Sequence, residues 1–125
     1  MEPSKPDWEW IANKVVSSLS AGEREDSLVY LEQRVFPAGK ALPWEPVAVS
    51  FDEPVVMAFI DLEPVMNWTH PARYLVLATD GNIKQRTETN RPPFFSGVSS
   101  YLRLIHQGSR APDWAAVTSA KLEPE

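Results

Sequence analysis

The chain has no cysteine, two histidines and five glycines in 125 residues, and each shortage removes a class of chemistry. Without cysteine there is no disulfide, no thiolate metal ligand and no cysteine nucleophile. A disulfide-free chain is compatible with a reducing compartment, so a cytoplasmic location is expected. His70 and His106 lie far apart with no His-x-x-x-His or His-x-His spacing, and the one metal set that can be imagined is Asp61, Glu63 and His70. No metal or other cofactor is expected from so thin an inventory. The glycines form neither a phosphate-binding loop nor a dinucleotide fingerprint. Ser96-Gly97 and Ser99-Ser100 supply hydroxyls without a Gly-x-Ser-x-Gly elbow.

Positive charge is also scarce. Twelve Lys and Arg stand against seventeen Asp and Glu, a net charge of −5, and the cations are scattered. Such a surface repels phosphate backbones, so nucleic acid is not an expected partner. The longest apolar run, residues 55–60, is too short to cross a bilayer. The first residues begin acidic and lack an apolar core segment, so neither a membrane span nor a signal peptide is expected. Asn67-Trp68-Thr69 spells a glycosylation sequon, which without a secretion signal is read as chance.

Proline and tryptophan, by contrast, are abundant at 12 and 5 residues. The length suits one hydrophobic core and the prolines impose fixed bends. Residues 1–110 are expected to form one globular domain, followed by an extension over 111–125, partly docked or flexible, that is short of large apolar side chains.

Periodicity supplies the fold class. Ser4 with Asp7 resembles a capping box, Pro6 fits a first helical turn, and Trp8, Ile11, Val15 and Leu19 recur at helical spacing. The pattern predicts an amphipathic helix over residues 5–21 with Gly22 as a left-handed stop. Residues 27–36 fit either period; their β-branched and aromatic content and the Pro37-Ala38-Gly39 stop favour a strand. Trp44 in the proline-rich crossing over 37–46 is expected to plug the core edge. Residues 47–51 alternate as a strand. Residues 55–60 are apolar at every position and read as a central strand covered on both faces. Residues 72–79 and 82–89 flank Asp80-Gly81, a two-residue hairpin signal, and the second of these strands has a single large aliphatic residue, Ile83, with charges that mark an edge. Phe94, Val98, Tyr101, Leu102 and Ile105 have helical spacing before Gly108, predicting a second helix over 96–106 capped by Ser96. The expected fold is α+β: an antiparallel sheet of four or five strands with the N-terminal helix and a second short helix packed on it. The alternative is a β-sandwich with helical caps.

The side chains with chemistry concentrate at the end of the central strand. Asp61 closes that strand and the next loop carries Met66, Trp68 and His70, with Arg73 opening the following strand. A carboxylate beside an imidazole can orient the ring that moves a proton. Equally, Asp61 can hold loop N–H groups while His70 braces the bend at Pro71. Arg73, Arg86 and Arg91 can converge as an anion clamp, or pair across strands with Glu88. Pro92-Pro93-Phe94-Phe95 returns the chain toward the same end. Stiff loops that display Trp, Met, Phe and Arg have the composition of protein-binding hot spots, although such aromatics also close the ends of cores.

These residues predict a non-enzymatic protein-binding or accessory protein of adaptor, inhibitor or immunity type, with Asp61, Met66, Trp68, His70, Arg73, Phe94 and Phe95 as the partner-binding set. The expected partner is another protein. Two alternatives stand beside it: a small enzyme using the His70/Asp61 pair with Arg73 on an anionic substrate, and a homo-oligomeric structural subunit paired through its hairpin edge.

Overall fold

The computed structural model describes residues 6–40, 42, 50–63, 71–90 and 101–111. The first helix, α1 (Trp8–Ser17), is capped by Asp7, whose extended backbone (φ −83°, ψ 95°) lets its carboxylate accept the Trp10 N–H at 3.1 Å. Ile11 and Val15, with Leu19 just beyond, form its buried stripe. A second helix, α2 (Ala21–Asp26), begins at once. Ser20 accepts the Glu23 N–H at 3.2 Å and Glu23 accepts the Ser20 N–H at 3.0 Å, a reciprocal capping box. This corrects the expectation of a single helix over 5–21. Gly22 continues a helix instead of stopping one, because the Ser20/Glu23 box re-initiates helical bonding around it. Ser4 lies outside the described residues.

Five strands follow: β1 (Leu28–Phe36), β2 (Val55–Asp61), β3 (Ala72–Ala78), β4 (Ile83–Thr89) and β5 (Leu102–Gln107). They make one antiparallel sheet in the order β4-β3-β2-β1-β5. The fold is therefore α+β. The strand apolar at every position up to its closing Asp61, β2, occupies the middle of the sheet and is buried throughout. Alternation sends Val56, Ala58 and Ile60 toward α1, where Ile11, Val15 and Leu19 cover them together with Val29, Leu31, Leu75 and Leu77. Val55, Met57 and Phe59 point the other way, into a second cluster with Tyr30, Tyr74 and Leu102. Leu42 and Ala111 join that second cluster, so Ala111, the first residue of the expected extension, is buried.

The hairpin loop closed by Ala78 and Asn82 has three residues, Thr79, Asp80 and Gly81, not two. Ala78 N–H donates to Asn82 O at 2.8 Å, Gly81 N–H donates to Ala78 O at 2.9 Å, and Gly81 takes φ +92°. This is a turn followed by a left-handed glycine, the second commonest hairpin solution. Trp10 Nε1 donates to Asp80 O at 2.9 Å and seats α1 on the turn.

The larger correction concerns residues 102–107, which form β5 and not part of a helix over 96–106. Leu102 packs in one core cluster and Ile105 in the other, so the apparent helical spacing is distributed over two faces of a strand. Local periodicity here yields to the backbone bonds on the outer side of β1, where Leu102, Arg103 and Leu104 oppose Glu32, Leu31 and Tyr30. The second short helix is α2. Of the strand expected over 47–51, residues 50 and 51 are irregular and 47–49 lie outside the described residues, as does Trp44.

Candidate functional site

The end of the sheet where β2 gives way to β3 has a fixed base. Pairing runs without a break from Val55↔Ala78 to Asp61↔Ala72. One step further Leu62 N–H donates to Pro71 O at 3.2 Å, so the connection between them springs from a hydrogen-bonded stalk. Asp61 is buried and shares its face with Phe59. Phe59 stands between two tyrosines, 5.9 Å from the Tyr30 ring and 5.2 Å from the Tyr74 ring, in the offset and tilted contacts aromatic pairs favour. Burial pushes the Tyr74 phenol well above its ordinary range.

Arg73 faces away from Asp61. It pairs with Ile60 across the ladder, one position along, and therefore projects on the α1 side of the sheet. There its Nη1 and Nη2 donate to the two Glu23 oxygens at 3.3 and 2.8 Å, and its Nε donates to Glu88 at 2.8 Å. Arg86 Nε donates to the same Glu88 oxygen at 2.7 Å. The Arg73 side chain is 5 % exposed, and both edges of its fork are occupied. Burial by itself would lower its proton affinity, but the bonds to Glu23 and Glu88 outweigh this and raise it. The Arg73 bond, with help from the Ser20 N–H, holds the Glu23 carboxyl down to about 2. Burial opposes ionisation of Glu88, yet Arg86 and Arg73 together keep it below its usual value. Arg73 and Arg86 do converge, on carboxylates of this chain.

Of the seven residues the sequence assigns to partner binding, Asp61 and Arg73 are described, and the sheet separates them onto opposite faces. Met66, Trp68, His70, Phe94 and Phe95 lie outside the described residues, as does Arg91. His106 is a brace: its Nε2 lies 2.7 Å from Arg24 O and ties β5 to α2. Among the described residues no three His, Asp or Glu side chains gather as a metal-ligand set.

Sequence reasoning missed a second cluster. The β1 ladder shifts register between Glu32 and Phe36, a bulged stretch that carries Gln33, Arg34 and Val35. Glu32 is fully buried, Arg34 reaches it as an ion pair, and the Arg34 guanidinium carbon lies 4.8 Å from the Phe36 ring centre and 5.3 Å from that of Tyr101. Val35 and Tyr101 are exposed beside it. The signal was the alternation Glu32-x-Arg34-x-Phe36, which a strand places on one face.

No protein-family model, curated protein or solved structure matches the chain. No helix among the described residues is long and apolar enough to cross a membrane.

Proposed function

We propose that the chain is a non-enzymatic, cytoplasmic protein-binding or accessory protein, of adaptor, inhibitor or immunity type, that meets its partner through the connection between β2 and β3 together with the Pro92-Pro93-Phe94-Phe95 return. The observation that carries the reading is the stalk: register pairing to Asp61↔Ala72 and the Leu62–Pro71 bond hold both ends of a Trp- and Pro-containing segment in place. A segment anchored this way loses less entropy on docking than a free loop, so more of its contact energy is expressed as affinity. Trp68, with Met66, His70, Phe94 and Phe95, supplies the side chains for such a contact. The enzyme alternative needs Asp61 and Arg73 on one side of the sheet with Arg73 open to an anion. Their opposite facing, and the occupation of Arg73 by Glu23 and Glu88, weigh against it.

The test is Trp68→Ala. The variant should melt like the wild type while losing roughly thirtyfold in affinity for the protein captured by the wild type, the effect of about 2 kcal/mol at a hot spot. His70→Ala should change affinity much less. Failure of the wild type to capture a partner, together with substrate turnover abolished by His70→Ala, would replace this reading with the enzyme.

A further inference from the structure

The chain has one Asp-Gly step, at the tip of the β3–β4 hairpin. With no Cβ on the second residue to hinder it, the backbone nitrogen of such a step can close on the aspartate side chain, which is the spontaneous route to isoaspartate. The turn cannot dispense with this glycine. Gly81 takes φ +92°, and a Cβ there would lie 3.0 Å from Lys14 Cγ and 3.1 Å from Trp10 Nε1. Geometry therefore obliges the hairpin to keep a labile step, and Asp80 is exposed to the water the chemistry uses.

Three hydrogen bonds meet on that step. The peptide plane joining the two residues is pinned at both ends: Trp10 Nε1 donates to Asp80 O, and Gly81 N–H donates to Ala78 O, both at 2.9 Å. The Asp80 carboxylate accepts the Asn82 N–H at 2.9 Å, which directs it to the amide beyond the one that would attack it. Two of these bonds are local to the turn. The third comes from α1, 70 positions earlier in the chain.

We propose that Asp80 is a site of isoaspartate formation that α1 holds closed, with Trp10 as the guard. In the reaction the Gly81 nitrogen bonds to Asp80 Cγ, the amide proton and a carboxyl hydroxyl leave as water, and a five-membered imide results. Water then opens the imide. Addition at Cγ restores aspartate, whereas addition at the former backbone carbonyl leaves the chain running through Cγ with that carbonyl as a free carboxylate. No oxidant, reductant or second protein takes part. Closure requires the peptide plane to turn and its N–H to be given up, so the bonds to Trp10 and Ala78 must both open first. Afterwards the backbone is one atom longer before the Gly81 nitrogen, and Asp80 O belongs to a side group. Neither bond re-forms in its old geometry, so α1 loses its seat on the turn permanently. The inference is independent of the connection between β2 and β3.

The test ages the full chain at fixed pH and follows isoaspartate by mass spectrometry in the tryptic peptide spanning residues 74–84, which holds no other aspartate. Trp10→Phe keeps a ring over the turn and removes the donor. It should form isoaspartate roughly fivefold faster than the wild type, the effect of one hydrogen bond. The wild type should in turn react about a hundredfold more slowly than the same chain in guanidinium chloride, where all three bonds are gone. Leu28→Val, a core change at the far end of the sheet, lowers global stability without touching the turn and should leave the rate near that of the wild type. Chain aged in denaturant and then refolded should exchange the amides of α1 faster than fresh chain. A Trp10→Phe rate equal to the wild type overturns the proposal, as does a Leu28→Val rate that rises as much as that of Trp10→Phe. A folded wild type that reacts as fast as the denatured chain overturns it too, and undiminished protection of α1 in the refolded aged chain overturns the release.

Discussion

The Nε of Arg34 stands 2.8 Å from Oε2 of Glu32, a carboxylate with no exposed surface, yet among the described residues neither Glu32 oxygen receives a well-directed hydrogen bond. Charge, not directed bonding, compensates this acid, and two aromatic rings steady the guanidinium that does it.

Removing one member of such a pair costs more than removing both, since a lone buried charge has nothing to offset its desolvation. Arg34→Ala should destabilise the fold by about 2–3 kcal/mol, below the figure for a wholly buried pair because Arg34 is 41 % exposed. The double change Glu32→Leu with Arg34→Met should return stability to near the wild type or above it. Denaturant melts of the three proteins check this; an Arg34→Ala variant as stable as the wild type would show that Glu32 is compensated otherwise.

The Glu23–Arg73 bond sets an acid limit. A carboxyl depressed from 4.5 to about 2 in the folded chain adds stability that is complete above pH 4.5 and is lost as pH falls toward 2. Allowing for solvent screening, the contribution is about 1–2 kcal/mol. Glu88, held below its usual value by Arg86 and Arg73, titrates in the same direction. Stability measured from pH 6 to pH 2 should fall through this window, and Glu23→Gln should flatten part of the decline. Arg73→Lys should not preserve it, because an ammonium cannot engage Glu23 through two donors and Glu88 through a third.

Phe59 lies at the crossing of the central strand and the aromatic ladder, with no exposed surface. Phe59→Ala should cost about 3–5 kcal/mol, the usual penalty for removing a buried ring from a packed interior. A loss below about 1 kcal/mol in a denaturant titration would mean that the cluster collapses around the vacancy.

The sheet was legible where sequence signals were local and mutually consistent. Residues 55–60 announce a doubly covered strand, and Asp80-Gly81 fixes a hairpin whose geometry then puts Arg73 opposite Glu88. The Glu23 contact to Arg73 was not legible, because it depends on how α2 docks against the sheet. The Ser20/Glu23 box is present in the sequence, but Gly22 two residues later carries the competing signal of a helix stop. Residues 102–107 mislead because Leu102 and Ile105, three apart, read as one face of a helix, whereas pairing with β1 makes a strand that puts them on opposite faces. Within the candidate site, the carboxylate Asp61 and the guanidinium Arg73 are legible as the residues that flank one connection, at the end of one strand and the start of the next. Their separation onto two faces follows from the parity of the strand ladder.

The sheet order has a consequence for synthesis. Leu28 is flanked by Asp61 on one side and Gln107 on the other, so the first strand waits for the last described one before its second edge is covered. Until Gln107 has left the ribosome, Val29, Tyr30 and Leu31 present an apolar, hydrogen-bonding edge with no native occupant. A nascent chain stalled before Leu102 would thus be a species that chaperones must shield, and one prone to pair with its own kind.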